Sequence, residues 1–339
     1  MRIDSSKISK RQLLTMLYVS RASVLLYPAV FLGQALPAAA VAYAALLLVA
    51  ITLLLDAALR NKRLGTAGKS ASFKWISAAI FALALCESFS LLSDELHNVY
   101  AGGAPLLALT AFAIFAVWFG LKNGIEGCAR FSFLCAVILC VSLLFLVLFN
   151  VDKFEYTKLL PASGIDAQSV LLAFVRLALL CPEAILLPVF APYVNEAICC
   201  GDVHRFLRVQ AIAVALFCVF SGGILGNLAF LDAPPIHLLA TLGEFSFFRR
   251  LDALRVGAFV IVLLVRLIAF SEGINILLRS RIKSTRHISM STVSILVCVC
   301  AAAAALLFAQ WKEKGLFAST LLITLAYGYQ ILRREKRHE

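Results

Sequence analysis

The sequence predicts an all-α polytopic membrane protein, with ten transmembrane helices forming one integral membrane domain over residues 1–339. Three observations point there. Hydrophobic residues make up 62% of the chain and charged residues 15%, whereas a soluble domain is about half apolar and about a quarter charged. Such an excess cannot be hidden in one soluble core, because a folded surface needs polar cover, and it equally excludes a disordered chain. Apolar runs recur at bilayer length, roughly 20 residues per helical span. Lysine and arginine then fall on alternate connections, as cytoplasmic loops require.

The runs lie at about 12–32, 36–59, 74–96, 104–120, 126–149, 168–192, 205–231, 251–278, 289–310 and 316–332. The first follows a polar segment, MRIDSSKISKRQ, that has no small-residue cleavage site, so this span is expected to be retained. The fourth and tenth are short, and the first and sixth are the least uniformly apolar. Between the fifth and sixth, residues 150–167 have room for a short surface helix. Residues 231–250 are apolar and carry Pro234 and Pro235, which suits a short helix or re-entrant piece on the outer face.

With this division, 21 of the 31 Lys and Arg residues fall on one side of the membrane and 6 on the other. Both termini are therefore expected in the cytoplasm. The net charge of +12 reads as attraction to anionic lipid. No basic stripe interleaves with aromatics on a soluble face, which argues against nucleic acid. The ten cysteines show no CxxC spacing, so neither a zinc site nor another metal is expected. Cys199 and Cys200 lie in a connection near a membrane surface, where free thiols are expected and palmitoylation is the alternative. No GxSxG, HExxH, Walker A or GxGxxG pattern occurs, so the chain is expected to be neither an enzyme nor a cofactor carrier.

Two stretches suggest an internal repeat. Ser23-Val24-Leu25-Leu26-Tyr27-Pro28 in the first span and Glu183-Ala184-Ile185-Leu186-Leu187-Pro188 in the sixth each run from a polar residue to a proline five positions on. They open the two halves of a five-plus-five arrangement, with a first repeat over about 11–150 and a second over about 168–333. Transporters are often inverted repeats with discontinuous first helices. Ser20-Arg21-Ala22-Ser23 and Cys181-Pro182-Glu183 favour breaks, since Pro removes a donor and clashes with the preceding turn. Freed backbone groups must line a protected cavity.

Ionisable groups inside spans sharpen the search, because each costs at least about 2.5–3.5 kcal/mol at the bilayer centre. They are Arg21, Asp56, Glu87, Arg176, Glu183, Arg266 and Glu272. The candidate ligand-binding residues are Ser20, Arg21, Ser23, Tyr27, Glu87, Cys181, Glu183, Arg266 and Ser271. Gating or proton-coupling candidates are Glu87, Arg176, Glu183 and Glu272. Arg21 is expected to pair with Glu183 where the two broken helices cross. Arg176 shares a helix face with Glu183 if the turn between them is intact. Competing structural roles exist. Asp56 and Arg255 suit snorkelling at an interface, Glu87 suits interhelical glue, and Ser88, Ser90 and Ser93 suit close helix packing.

These residues resemble those of the spore germination permease family, the B subunits of nutrient germinant receptors, within the amino acid–polyamine–organocation superfamily. The likeness is carried by Ile8-Ser9-Lys10-Arg11-Gln12, by Gly124-Ile125-Glu126 through Ala129-Arg130-Phe131, by Glu183–Leu187 with Pro192-Tyr193, and most specifically by Gly243-Glu244-Phe245-Ser246-Phe247-Phe248-Arg249-Arg250-Leu251-Asp252-Ala253-Leu254. Arg21 and Pro182 depart from the family pattern, which usually has Gly and an aromatic there. The resemblance implies a LeuT-like bundle with a midplane pocket between spans one, three, six and eight. It also implies an amino acid or other small nutrient as ligand, and partnership with a larger A subunit and a C lipoprotein in the spore inner membrane. A nutrient-sensing receptor subunit is the leading expectation. A proton- or sodium-coupled amino acid or polyamine transporter is the alternative, and an ion or water conduit within the complex is a third reading.

Overall fold

The computed structural model describes residues 7–25, 30–31, 34–35, 38–59, 71–99, 106–159, 166–178, 181–226, 235–242, 252–279 and 296–303. Ten α-helices are named among them: α1 (Lys10–Leu25), α2 (Ala38–Leu59), α3 (Ala71–Val99), α4 (Leu106–Lys122), α5 (Gly124–Leu148), α6 (Ala167–Ala178), α7 (Glu183–Phe190), α8 (Cys200–Leu225), α9 (Pro235–Leu242) and α10 (Asp252–Arg279). Residues 296–303 are also helical. Strands β1 (Val30–Phe31) and β2 (Gln34–Ala35) make a small antiparallel hairpin. Helix dominates because lipid offers backbone N–H and C=O groups no partners.

Helices α2, α3, α5, α8 and α10 are each long and apolar enough to cross a membrane. Large apolar side chains face outward on α2, α5 and α8, including Leu46, Leu54, Phe133, Leu144 and Leu216, as a lipid-facing surface requires. The chain is a helical membrane protein. The fourth, first and sixth expected spans hold shorter helices. The ninth is described only over residues 296–303, and the expected tenth span, 316–332, lies outside the described residues.

Span one departs from expectation in detail. The helix passes unbroken through Ser20–Ser23 and is helical to Leu25, while Val30 is already extended. Ser23 Oγ donates to the Ser20 carbonyl at 2.8 Å, so this hydroxyl is satisfied within the helix and does not disrupt it. Span six breaks where Pro182 predicts. Helix α6 is described to Ala178, Cys181 and Pro182 are non-helical, and α7 begins at Glu183. Arg176 and Glu183 therefore do not share one continuous helix face.

Helix α10 is the centre of the molecule, with 78% of its span buried against 22% for α5. Helices α1, α3, α4, α5, α7 and α9 pack around it. Gly273 permits a close approach: a Cβ there would lie 2.9 Å from both Leu186 Cδ2 and Phe81 Cε2. Small residues at such contacts let membrane helices pack without a hydrophobic drive. A second layer joins α2 to α6 and α8 through Ala44, Ala45, Leu48, Ala173, Leu177 and Ala211.

Two connections carry short helical pieces among the described residues. Residues 150–167 carry two single-turn 3-10 helices, Val151–Lys153 and Tyr156–Leu159. In the 231–250 connection, α9 packs Leu239 and Ala240 onto Leu146, Ile224 and Leu225.

Candidate functional site

The break in span six places Glu183 at the first position of α7, fully buried. A carboxylate at a helix N-terminus lies in a favourable field. Two arginines from different helices converge on it. Arg266 of α10 places Nη1 2.8 Å from Glu183 Oε1. Arg21 of α1 places Nη1 3.5 Å from Glu183 Oε2. Arg266 also donates through Nη2 to Glu87 Oε2 of α3 at 2.6 Å and through Nε to Ser88 Oγ at 3.0 Å. Its guanidinium lies 5.2 Å from the ring centre of Phe270.

Four helices thus contribute two cations and two anions to one buried network, Arg21–Glu183–Arg266–Glu87. The formal charge sums to zero, which is the condition for keeping such groups out of water. Desolvating an ion still costs several kcal/mol, so an ion pair is weak evidence of stabilisation. Intramembrane ionisable residues are more often functional than structural. The contacts are unequal. Arg266 is held by three polar partners on two helices, whereas the Arg21 contact is the longer one.

The break itself is tied by Gln210 of α8. Its Nε2 donates to the Leu177 carbonyl at 3.1 Å, one of the last carbonyls of α6, which lack helical partners. Cys181 Sγ lies 3.8 Å from both Glu183 Oε2 and Gln210 Oε1.

The network therefore gathers Arg21, Glu87, Cys181, Glu183 and Arg266 of the residues singled out from sequence. Ser20 is buried on α1 beside Arg21, and Ser23 bonds back within its own helix. Ser271 turns elsewhere. Its Oγ donates to the Leu267 carbonyl at 2.7 Å and lies 3.0 Å from Cys298 Sγ on residues 296–303. Glu272 is buried and accepts from Asn275 Nδ2 at 3.0 Å. Tyr27 and the side chain of Arg176 lie outside the described residues.

Two expectations about interfaces need correction. Arg255 does not snorkel: it is 4% exposed and paired with Glu95 of α3. Asp56 meets His204 Nδ1 at 2.6 Å and Arg208 Nη1 at 2.5 Å across α2 and α8. In both cases a partner on another helix satisfies the charge, so neither side chain needs to reach the interface. Ser88, expected to serve packing, accepts from Arg266. Gln210 and Glu95 were missed. Their signal is a polar residue within or near the end of an apolar run.

Residues 66–310 match the family model for spore permeases, described as spore germination protein. No curated protein matches the chain.

Proposed function

The chain belongs to the spore germination protein family, and on that premise we propose that it is the membrane subunit of a nutrient germinant receptor. In this reading it binds a small nutrient, an amino acid, between α1, α3, α7 and α10. The observation that carries the proposal is the neutral network joining those four helices at the break of span six. Arg21 takes the ligand carboxylate and Glu183 the amine, so the zwitterion replaces one ion pair with two and leaves the charge balance unchanged. The role is binding rather than catalysis. A ligand shifts the protein only by its differential affinity for two conformers, typically about 1–3 kcal/mol of coupling.

The packing supports a ten-span, five-plus-five architecture of LeuT-like type. Counting the α6–α7 pair as span six and α8 and α10 as spans seven and eight, α1 packs on α7, α2 on α8 and α3 on α10. In these three cases a span meets the one five positions later, which suits a pseudo-two-fold repeat. The contact of α3 with α4 has its counterpart in Ser271 of α10 meeting Cys298 of the ninth span. In the same reading both termini are cytoplasmic, the membrane is the spore inner membrane, and the partners are an A subunit and a C lipoprotein.

The transporter reading rests on the same carboxylates, with Glu87, Glu183 or Glu272 carrying a proton. The two are separated by liposomes containing this chain alone, together with spores lacking it. The receptor reading predicts loss of nutrient-triggered germination in the spores and no steady uptake of labelled amino acid in the liposomes. Sustained uptake would replace it with the transporter reading.

A further inference from the structure

The segment that leads into α1 is seated on the end of span six. Ile8 is fully buried. Its N–H donates to the Tyr193 carbonyl at 3.0 Å, and the Asn195 N–H donates to the Ile8 carbonyl at 3.1 Å. Together these make a parallel bridge between Ile8 and Val194. The next residues lock the direction of α1 by a reciprocal cap. Gln12 N–H donates to Ser9 Oγ at 3.2 Å, and Ser9 N–H to Gln12 Oε1 at 2.9 Å. Lys10 Nζ then lies 3.2 Å from Asp202, whose carboxylate also accepts from the Cys199 N–H at the start of α8.

The seat and the buried network are the two ends of one mechanical unit. Helix α1 runs without interruption from Lys10 past Arg21, a climb of roughly 20 Å from Ile8 at the ordinary helical rise. Glu183 starts α7, and the single 3-10 turn Ala191–Tyr193 follows directly on its end. The two pieces are therefore joined twice, by Arg21–Glu183 at one end and by Ile8–Tyr193–Asn195 at the other, with only helical backbone between. A register change at one end must strain the other. The seat is held by the buried Ile8 side chain, two main-chain bonds and an ion pair whose side chains remain 25% and 16% exposed, none of them a backbone bond of α1 or α7, so it can part without unfolding either helix. Main-chain bridges are also either made or broken, which suits a two-state element.

We propose that residues 7–10 form a releasable strap on Tyr193–Asn195, and that this strap opens when the Arg21–Glu183 contact parts. The strap reports the state of the network at the end of the molecule where α1 begins and presents that change to whatever lies against that face.

No ligand is needed to test this, so its failure leaves the receptor reading standing. The full chain in lipid nanodiscs is compared with Glu183→Gln and Lys10→Glu variants. In Glu183→Gln, amide exchange at Ile8 and Asn195 is expected to rise about tenfold while α5 is unchanged. In Lys10→Glu, which sets two carboxylates together at Asp202, maleimide labelling of the native Cys181, located by peptide mass, is expected to rise about tenfold. Unchanged exchange at both amides in Glu183→Gln, or unchanged Cys181 labelling in membrane-inserted Lys10→Glu, overturns the proposal. If Glu183→Gln fails to insert, the Lys10→Glu measurement decides alone.

Discussion

Glu183 faces two guanidinium groups, and its removal would leave Arg21 and Arg266 as like charges in a buried site. Breaking a buried pair in this way typically costs about 3–5 kcal/mol. Glu183→Leu is therefore expected to lower the melting temperature of the purified protein by far more than Asp152→Ala, whose side chain is exposed. Steric limits give an independent check. A Cβ at Gly223 would sit 2.2 Å from Phe154 Cε2, a separation that demands movement. Gly223→Ala is expected to destabilise by about 1–3 kcal/mol, and Phe154→Leu should recover part of the loss when the two are combined. Equal melting temperatures for Gly223→Ala and the parent would refute that contact. Arg21 and Glu183 were legible in the sequence because a charge deep in an apolar run is costly wherever it points. The length of their contact was not, since it depends on how Arg266 divides the same carboxylate.

At the scale of elements, the break in span six was readable from Pro182 beside Glu183, because proline cannot donate at that position. The break expected at Ser20–Ser23 of span one is not there, since the helix continues through them to Leu25. Local hydroxyls such as Ser23 can be satisfied by their own helix, and a single sequence does not distinguish that from a true interruption. What stabilises the span-six break was not legible, as Gln210 comes from a helix some 30 residues further on. Gln210→Leu would leave the Leu177 carbonyl buried without this donor, at a cost of about 1–3 kcal/mol. Hydrogen exchange should then show faster opening at the end of α6 while α5 is unaffected. Unchanged exchange there would mean that the carbonyl finds another partner.

For the whole molecule, charge and packing supply separate supports for one topology. In the proposed topology, the alternation of Lys and Arg assigns the second-to-third connection to the cytoplasm and the fifth-to-sixth to the outside. A membrane-impermeant thiol reagent is accordingly expected to label Ser163→Cys and not Ala67→Cys in intact cells, on a background lacking accessible native cysteines. The reverse pattern would invert the molecule, and labelling of both would remove a span. The contacts of α1 with α7, α2 with α8 and α3 with α10 were not visible in the sequence beyond the two short likenesses around Ser23 and Glu183, because helix partners in lipid are chosen by small residues and shape rather than by hydrophobic pattern.

The central claim is that the network of Arg21, Glu87, Glu183 and Arg266 is a recognition centre rather than a structural tie. Its most direct test is the nutrient response of spores carrying Arg21→Ala or Glu183→Ala at membrane levels matched to the parent. The response is expected to be abolished in both. Normal responses in both single variants would contradict the claim and leave the four charges as scaffolding.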